Sequence, residues 1–266
     1  MKIKKAVIPI AGRGTRMLPI TKVIPKHLLP LNNKPIIEYI VEEVLKSGIE
    51  EIVFVISRCD KLTKKYFSND KILKKFLKKK DKKDSLNILK NIPKFKMHFV
   101  IQKTADGNGD AIIKAKKYLK NEPFLLLFGD DIIINGNSCT DLLKAYQGTQ
   151  TITLGLTEVD EENAKRYGII KTKDPLTKKI IKLDNIMEKP NKVEGKTYAF
   201  IGRAILTSKV FDYLEDMKFK KKEIGLSQAL ENMMQEENVY GCIINGKRYD
   251  VGYKEGYMQA VFEMKT

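Results

Sequence analysis

The sequence predicts an α/β protein with a Rossmann-like fold, in which helices flank a central, mostly parallel but mixed sheet. Short apolar runs of the kind buried in parallel sheets alternate with amphipathic helical stripes through the first half of the chain. The first run leads directly into a turn that contains Gly12 and Gly14. The second half is richer in strands, and no linker or internal repeat divides the 266 residues. We therefore expect a single domain over residues 1–266.

The first half of the chain is predicted to contain four strands and four helices. Pro35 fits the first turn of a helix, and Gly48 fits its end. Apolar positions three and four residues apart indicate two short amphipathic helices within residues 70–92, with their lysines facing outward. The strands are predicted at residues 6–11, 52–56, 97–101 and 123–128, and the other two helices at residues 35–48 and 111–119.

The second half is predicted to be a β-rich continuation of the same fold. A last helix is expected after Gly252, with Tyr257, Met258, Val261 and Phe262 facing inward. The strands are predicted at residues 151–157, 169–172, 180–187, 197–206 and 239–244, and the other helices at residues 208–216 and 226–235.

The formal net charge of +17 is concentrated in one segment. Residues 61–96 contain 14 Lys and 3 Asp, which gives this segment a charge of +11. Only six of the 50 basic residues are arginines, whereas nucleic-acid readout favours arginine together with stacking aromatic side chains. We interpret the segment as the solvated face of a Lys-rich helical insertion at about residues 61–96, and we expect no nucleic-acid partner.

Composition also bears on location and on metal chemistry. No apolar run approaches the 18 or more residues of a membrane-spanning helix, so we expect no membrane partner, no signal peptide and a cytoplasmic location. Cys59, Cys139 and Cys242 are far apart and lack the spacing of a metal site, and the chain has only two histidines. We expect reduced thiols and no zinc site.

The turn Gly12-Arg13-Gly14-Thr15-Arg16 has the composition of a phosphate-binding loop. Glycines leave backbone N–H groups exposed, and Arg16 and Lys26 add fixed positive charge, which suits a polyphosphate. A Walker A loop is excluded because four residues separate its glycines, whereas one separates them here. A dinucleotide fingerprint is disfavoured because Met17 stands in place of its third glycine. For the loop taken alone, an ordinary charged strand-to-helix turn remains an alternative.

Asp130 and Asp250 are candidate ligands of Mg²⁺. Asp130 follows the apolar run at residues 123–128, and carboxylates at the end of a buried strand lie where open α/β sheets bind ligands. A polyphosphate at the neighbouring loop would call for a divalent cation, and Mg²⁺ suits a few carboxylates completed by phosphate oxygens and water. Taken singly, each aspartate could also cap a turn or a helix.

Motifs from Lys4 to about Ala260 resemble those of the sugar-1-phosphate nucleotidyltransferases, and in particular the bacterial UTP:glucose-1-phosphate uridylyltransferase family. The first matching motif is long and ungapped, so it is more specific than a turn with two glycines. The matching segments are residues 12–35, Phe128-Gly129-Asp130, Arg166-Tyr167-Gly168, Glu188-Lys189-Pro190, Phe200-Ile201-Gly202-Arg203 and Arg248-Tyr249-Asp250-Val251-Gly252.

This resemblance implies transfer of UMP from UTP to glucose 1-phosphate, with Mg²⁺ as cofactor and a homodimer or homotetramer as the assembly. It implies a nucleotide-binding part at about residues 1–150 and a sugar-binding part at about residues 151–266. Arg16, Lys26 and Lys189 would act on phosphates, and Asp130 and Asp250 would hold the metal. The implied nucleotide-binding residues are Ala11, Gly12, Gly14, Thr15, Gln102 and Gly107, and the implied sugar-binding residues are Gly168, Glu188 and Gly202.

Gln102 is the residue implied to read the base, since an amide offers the donor and the acceptor that match the edge of uracil. The chain departs from the family pattern at four other positions, which are His27, Asn33, Asp110 and Gln228. None of these is a predicted metal ligand or a phosphate-binding cation, so the resemblance assigns them no role.

Two other functions remain open at this point. A thymidylyltransferase is one, because thymine and uracil share the same pairing edge. The other is a weakly active regulatory or nucleic-acid-binding paralogue, which the Lys-rich segment and the four departures would suit.

Overall fold

The computed structural model describes residues 2–193, 195, 197–219 and 224–264. Short 3-10 turns shape the loop after the first strand, at Thr15–Met17, Ile20–Lys22 and Lys26–Leu28. The strands are β1 Lys5–Pro9, β2 Pro30–Leu31, β3 Lys34–Pro35, β4 Glu51–Ser57, β5 Lys96–Gln102, β6 Phe124–Leu127, β7 Asp131–Ile134, β8 Thr153–Val159, β9 Gly168–Lys171, β10 Ile180–Leu183, β11 Asn185–Glu188, β12 Thr197–Leu206, β13 Val239–Ile243 and β14 Lys247–Asp250. The helices are α1 Ile36–Lys46, α2 Leu62–Phe67, α3 Lys71–Lys79, α4 Lys83–Asn91, α5 Asn108–Leu119, α6 Ser138–Thr149, α7 Glu161–Ala164, α8 Val210–Phe219, α9 Leu226–Met233 and α10 Lys254–Glu263.

Ten of the described strands form one mixed sheet, with the central order β10-β13-β8-β12-β6-β1-β4-β5, and β9 and β11 branching from β12. Parallel pairing joins β1 to β4 and β6, and β4 to β5. Strand β12 runs antiparallel to both β6 and β8. The pairings place β10, β11 and β12 in one direction and the other seven strands in the opposite direction. The predicted α/β class with a mostly parallel, mixed sheet is confirmed.

Both faces of the sheet are buried, as the continuous apolar runs predict. In β1, Ala6 and Ile8 belong to the core under α1, α6 and α10, whereas Val7 belongs to the core under α5, α8 and α9. Alternate side chains of a strand point to opposite faces, so a strand covered on both sides has no polar face. This explains why the strands of the first half are recognisable from composition alone.

The strand order reverses at β1, because β4 and β6 lie on opposite sides of this strand. The loop after β1 and the turn at Asp130 after β6 therefore leave the same edge of the sheet side by side. Ligands of open α/β sheets bind in the crevice at such a switch point.

The Lys-rich insertion forms α3 and α4, the two helices that the stripes predict, and also α2, which was not predicted. Leu77 of α3 is buried, whereas Ile72 and Phe76 on the same helix are 84% and 56% exposed. This helix therefore exposes some of its apolar side chains as well as its lysines.

Several elements differ from the sequence prediction. The predicted strand at residues 180–187 is two strands, because β10 pairs with β13 and β11 pairs with β9, with Asp184 between them. The inward positions predicted for Met258 and Phe262 are wrong, because these side chains are 41% and 61% exposed while Ala260 is buried. Helix α6 and the ladder between β7 and β14 were not predicted.

Within the described residues, every helix is too short or too polar to cross a membrane.

Candidate active site

Two cavities open at the switch point of the sheet, and Asp130 lines both. We call the first, of about 310 Å³, the loop cavity, because the loop after β1 forms one of its walls. We call the second, of about 190 Å³, the arginine cavity, because it is lined by Arg16, Arg166 and Arg248. Asn108 and Phe128 also line both cavities, so the two spaces are contiguous around Asp130.

Most of the predicted site residues meet in these two cavities, although they come from distant parts of the chain. The loop cavity is lined by Ala11, Gly12, Lys26, Gln102, Gly107 and Asp130. The arginine cavity is lined by Arg16, Asp130, Gly168, Glu188, Lys189, Gly202 and Asp250. Thr15 lines a neighbouring cavity together with Ala11 and Gly12. Gly14 lines neither of the two cavities, and its carbonyl instead accepts a hydrogen bond from Thr21 Oγ1 at 2.7 Å, which closes the loop.

Lys26 donates a hydrogen bond to Asp130 Oδ2, in an ion pair whose side chains are 21% and 24% exposed. Burial opposes ionisation of Asp130, but Lys26, Arg248 and Arg16 outweigh it and lower the pKa of this carboxyl group. Asp130 is therefore a carboxylate at neutral pH. A predicted phosphate-binding cation thus forms an ion pair with a predicted metal ligand.

Asp250 is fixed by neighbours on both of its oxygens. Its Oδ1 accepts a hydrogen bond from the backbone N–H of Gly252 at 3.0 Å, and its Oδ2 accepts one from the Tyr167 hydroxyl. Burial raises the pKa of Tyr167, and so do the negative charge of Asp250 and the hydrogen bond to it. The positive charge of Arg248 acts in the opposite direction but does not outweigh them. The Tyr167 proton therefore stays on the phenol and holds Asp250 in place.

Gly252 provides the space in which Asp130 and Asp250 converge. A Cβ atom at this position would lie 2.7 Å from Asp130 Oδ2, closer than real contacts allow, and 3.0 Å from Asp250 Oδ1, which is a tight contact. The described residues hold no group of three or more His, Cys, Asp or Glu that could bind a metal alone. Two converging carboxylates nevertheless suit Mg²⁺, which usually takes one or two carboxylates and completes its shell with substrate phosphates and water.

Tyr253 contacts two arginines that, like its own side chain, line the arginine cavity. The guanidinium carbons of Arg16 and Arg166 lie 4.4 and 4.9 Å from the centre of its ring. Such cation–π contacts hold an arginine side chain without using its N–H donors. Both arginines therefore keep donors available for an anionic ligand.

Lys189 has a backbone conformation that is uncommon for a residue with a side chain, with φ of 45°. Its N–H donates a hydrogen bond to Tyr167 O at 3.0 Å, which ties the turn after β11 to the loop before β9. Its Nζ lies 3.4 Å from Glu188 Oε1, and both side chains are about half exposed. The ammonium group is thus free to move toward a ligand.

Arg203 supports the Asp130 turn from the protein interior. This fully buried side chain donates hydrogen bonds to Phe128 O at 3.2 Å and to Asp131 O at 2.6 Å, one on each side of Asp130. Glu43 Oε2, at 3.2 Å, supplies its counter-charge. The buried pair fixes the backbone from which Asp130 projects.

Sequence reasoning missed the roles of Tyr253, Arg166 and Arg203. Arg166 and Arg203 lie within segments that resemble the family, so the resemblance identified their surroundings without their contacts. Tyr253 carries no sequence signal, because its function as a platform depends on two arginines far away in the chain.

The fold and the paired cavities, with cations and carboxylates facing each other, define a nucleotidyl transferase. The chain belongs to the nucleotidyl transferase family, whose sequence profile matches residues 5–266.

More specific likenesses point to one branch of this family. The chain is 40% identical over 268 residues to UTP–glucose-1-phosphate uridylyltransferase 2 of Staphylococcus saprophyticus, covering 98% of this chain and 92% of that protein. The UTP-bound UGPase from Acinetobacter baumannii is similar with a TM-score of 0.90 and 29% identity, covering 98% of this chain and 93% of that one. A UDP-glucose pyrophosphorylase complexed with UDP-glucose has a TM-score of 0.86 and 33% identity, covering 98% of each chain.

Proposed function

We propose that this chain transfers UMP from UTP to glucose 1-phosphate, with UDP-glucose and pyrophosphate as products. The observation that carries the proposal is the position of Asp130 between two contiguous cavities, one with the predicted nucleotide residues and the other with the predicted sugar residues. The relatives named for this activity support it across almost the whole chain.

The reaction needs no protein nucleophile. A phosphate oxygen of glucose 1-phosphate attacks the α-phosphorus of UTP, forming one P–O bond as the bond to the departing pyrophosphate breaks. Catalysis then consists of positioning two polyanions in line and stabilising the charge that develops on their oxygens. The cations around Asp130 are suited to both tasks.

We assign Asp130 and Asp250 as the residues that would hold Mg²⁺. Nucleotidyl transferases of this class generally use a divalent metal. The converging carboxylates at Gly252 support Mg²⁺ in particular, because the remaining ligands can come from phosphates. When bound, Mg²⁺ would neutralise charge on the α-phosphate oxygens. Lys26 would have to leave Asp130, and the triphosphate offers it a new partner.

Three cations are assigned to the phosphate groups of the two substrates. Arg16 and Lys26 lie on the loop after β1, so they would stabilise the triphosphate and then the departing pyrophosphate. Lys189 also lines the arginine cavity, where it would orient the attacking phosphate. A half-exposed lysine suits a phosphate that must shift during the reaction.

The base and the sugar are assigned to opposite ends of the paired cavities. Ala11, Gly12, Gln102 and Gly107 would surround the uracil, with Gly14 and Thr15 shaping the loop. Gly168, Glu188 and Gly202 would contact the glucose, and Glu188 offers acceptors for its hydroxyl groups.

We also propose that residues 1–266 act as a single domain, since strands from the nucleotide-binding and sugar-binding parts share one sheet. A homodimer or homotetramer is expected from the family resemblance. A cytoplasmic location fits the free thiols of Cys59, Cys139 and Cys242, and also the substrate UTP.

The test is release of pyrophosphate from UTP, glucose 1-phosphate and MgCl₂, with UDP-glucose identified by mass spectrometry. The proposal requires product only when both substrates and a divalent metal are present. Equal or faster turnover of dTTP would favour a thymidylyltransferase. Negligible transfer together with salt-sensitive binding of RNA would favour the nucleic-acid-binding alternative.

A further inference from the structure

Asp110, one of the four departures from the family pattern, contacts the residue assigned to the base. This aspartate lies on α5 and is 1% exposed. The Nε2 atom of Gln102 donates one hydrogen bond to Asp110 Oδ2 at 3.0 Å and another to Gly107 O at 3.0 Å. The sequence prediction left both the donor and the acceptor of the Gln102 amide available to the base, whereas here the donors are used within the protein.

These two contacts determine which way the Gln102 amide faces. A carboxylate and a backbone carbonyl only accept hydrogen bonds, so the nitrogen of the amide must point toward them. The Oε1 atom accepts no hydrogen bond from the described residues, and Gln102 lines the loop cavity. The amide therefore offers this cavity an acceptor and no donor.

Neighbouring elements hold both acceptors in place. Lys114 Nζ and Lys218 Nζ lie 3.5 and 3.7 Å from Asp110 Oδ1, so ammonium groups from α5 and α8 flank the side chain of this residue. Gly107 has φ of 97°, and a Cβ atom there would lie 2.4 Å from Ile224 O, so no other residue fits this turn. The orientation of Gln102 is thus imposed by α5, α8 and the turn before α5.

We propose that Asp110 is a positioning residue that makes the nucleotide site select uracil over cytosine. Uracil has an N–H donor at N3, which matches the Oε1 acceptor of Gln102, whereas cytosine has a lone pair at N3 that would oppose it. Thymine also carries the N3 donor, so this device discriminates CTP but not dTTP. The inference rests on the proposed function in one respect, which is the placement of the pyrimidine in the loop cavity.

The test compares Asp110→Leu with Asp110→Asn. Leucine removes the acceptor and frees one N–H of Gln102, whereas asparagine can still accept through its own carbonyl oxygen. We expect the ratio of kcat/KM for UTP to that for CTP to fall about tenfold in Asp110→Leu, the equivalent of one hydrogen bond. In Asp110→Asn the ratio should stay within about threefold of wild type. An unchanged ratio in Asp110→Leu, or equal losses in both variants, would overturn the proposal.

Two additions keep the test decisive. Lys114 and Lys218 are partly exposed, so water can solvate their ammonium groups once the aspartate is gone. If Asp110→Leu does not fold, Asp110→Ala replaces it, and the same fall in the ratio of kcat/KM for UTP to that for CTP is expected. Dissociation constants of UTP and CTP, measured by calorimetry, report the same discrimination without turnover. Failure of the proposed function would appear as wild-type protein that releases no pyrophosphate, and failure of this inference as a UTP-to-CTP binding ratio that Asp110→Leu does not change.

Discussion

Replacement of Asp130 by asparagine is the sharpest perturbation of the proposed centre. The change preserves the shape of the side chain and removes a carboxylate that lines both cavities. Removing a preorganised charge from a transition state lowers kcat by about 10²–10³, or about 2.7–4 kcal/mol. We expect at least a hundredfold loss of kcat, because the variant loses one of the two carboxylates proposed to hold the metal.

The same variant should remain folded. The pair of Lys26 and Asp130 is partly exposed, and such pairs contribute at most about 1 kcal/mol to the free energy of unfolding. For a chain of this size, that corresponds to a fall in Tm of about 2–4 °C. A large loss of activity at a nearly unchanged Tm would separate catalysis from stability.

The assay is pyrophosphate release from UTP and glucose 1-phosphate over a titration of MgCl₂. The concentration of Mg²⁺ for half-maximal rate should rise at least about tenfold in Asp130→Asn. Asp84→Asn, which alters an exposed carboxylate on α4, is the matched control and should behave as wild type. Turnover within threefold of wild type, with an unchanged response to Mg²⁺, would refute the reasoning.

Three further predictions concern separate parts of the molecule. Lys189→Met should lower kcat about a hundredfold while the dissociation constant of UTP measured by calorimetry stays constant, and the exposed Lys173→Met is its control. Tyr253→Leu should lower kcat/KM for UTP about tenfold in steady-state kinetics, because Arg16 and Arg166 lose their shared platform. Burial opposes ionisation of Asp60, but hydrogen bonds from His27 and Thr63 lower the pKa of this group below 3.8. The stability that Asp60 provides is present above pH 3.8 and is lost as the pH falls through the lowered pKa, so in urea unfolding Asp60→Asn should differ from wild type at about pH 6, and the difference should shrink as the pH falls below 3.8.

Much of the fold was predictable because local patterns and burial agree. The strands β1, β4 and β6 are apolar on both faces, so their composition alone identifies them. Helix α6 was missed because its first turn, Ser138-Cys139-Thr140-Asp141, is mostly polar in sequence although Ser138 and Cys139 are buried. Met258 and Phe262 show the opposite case, because these apolar side chains were predicted to face the core and are exposed instead.

The candidate site was predictable as a set of residues but not as a set of contacts. Gly12, Asp130, Lys189 and Asp250 fall in segments that resemble a family, and the fold brings these segments together. The pairing of Lys26 with Asp130 and the orientation of the Gln102 amide depend on distances between segments. Sequence patterns carry no information on which polar groups use each other as partners.

The stereochemistry at the α-phosphorus tests the central claim most directly. That claim is a single in-line displacement in which glucose 1-phosphate attacks UTP with no covalent protein intermediate. With UTP that carries a chiral sulfur-substituted α-phosphate, the account predicts sulfur-substituted UDP-glucose with inverted configuration. Retention of configuration would show two successive displacements through a uridylylated side chain, and it would contradict the account.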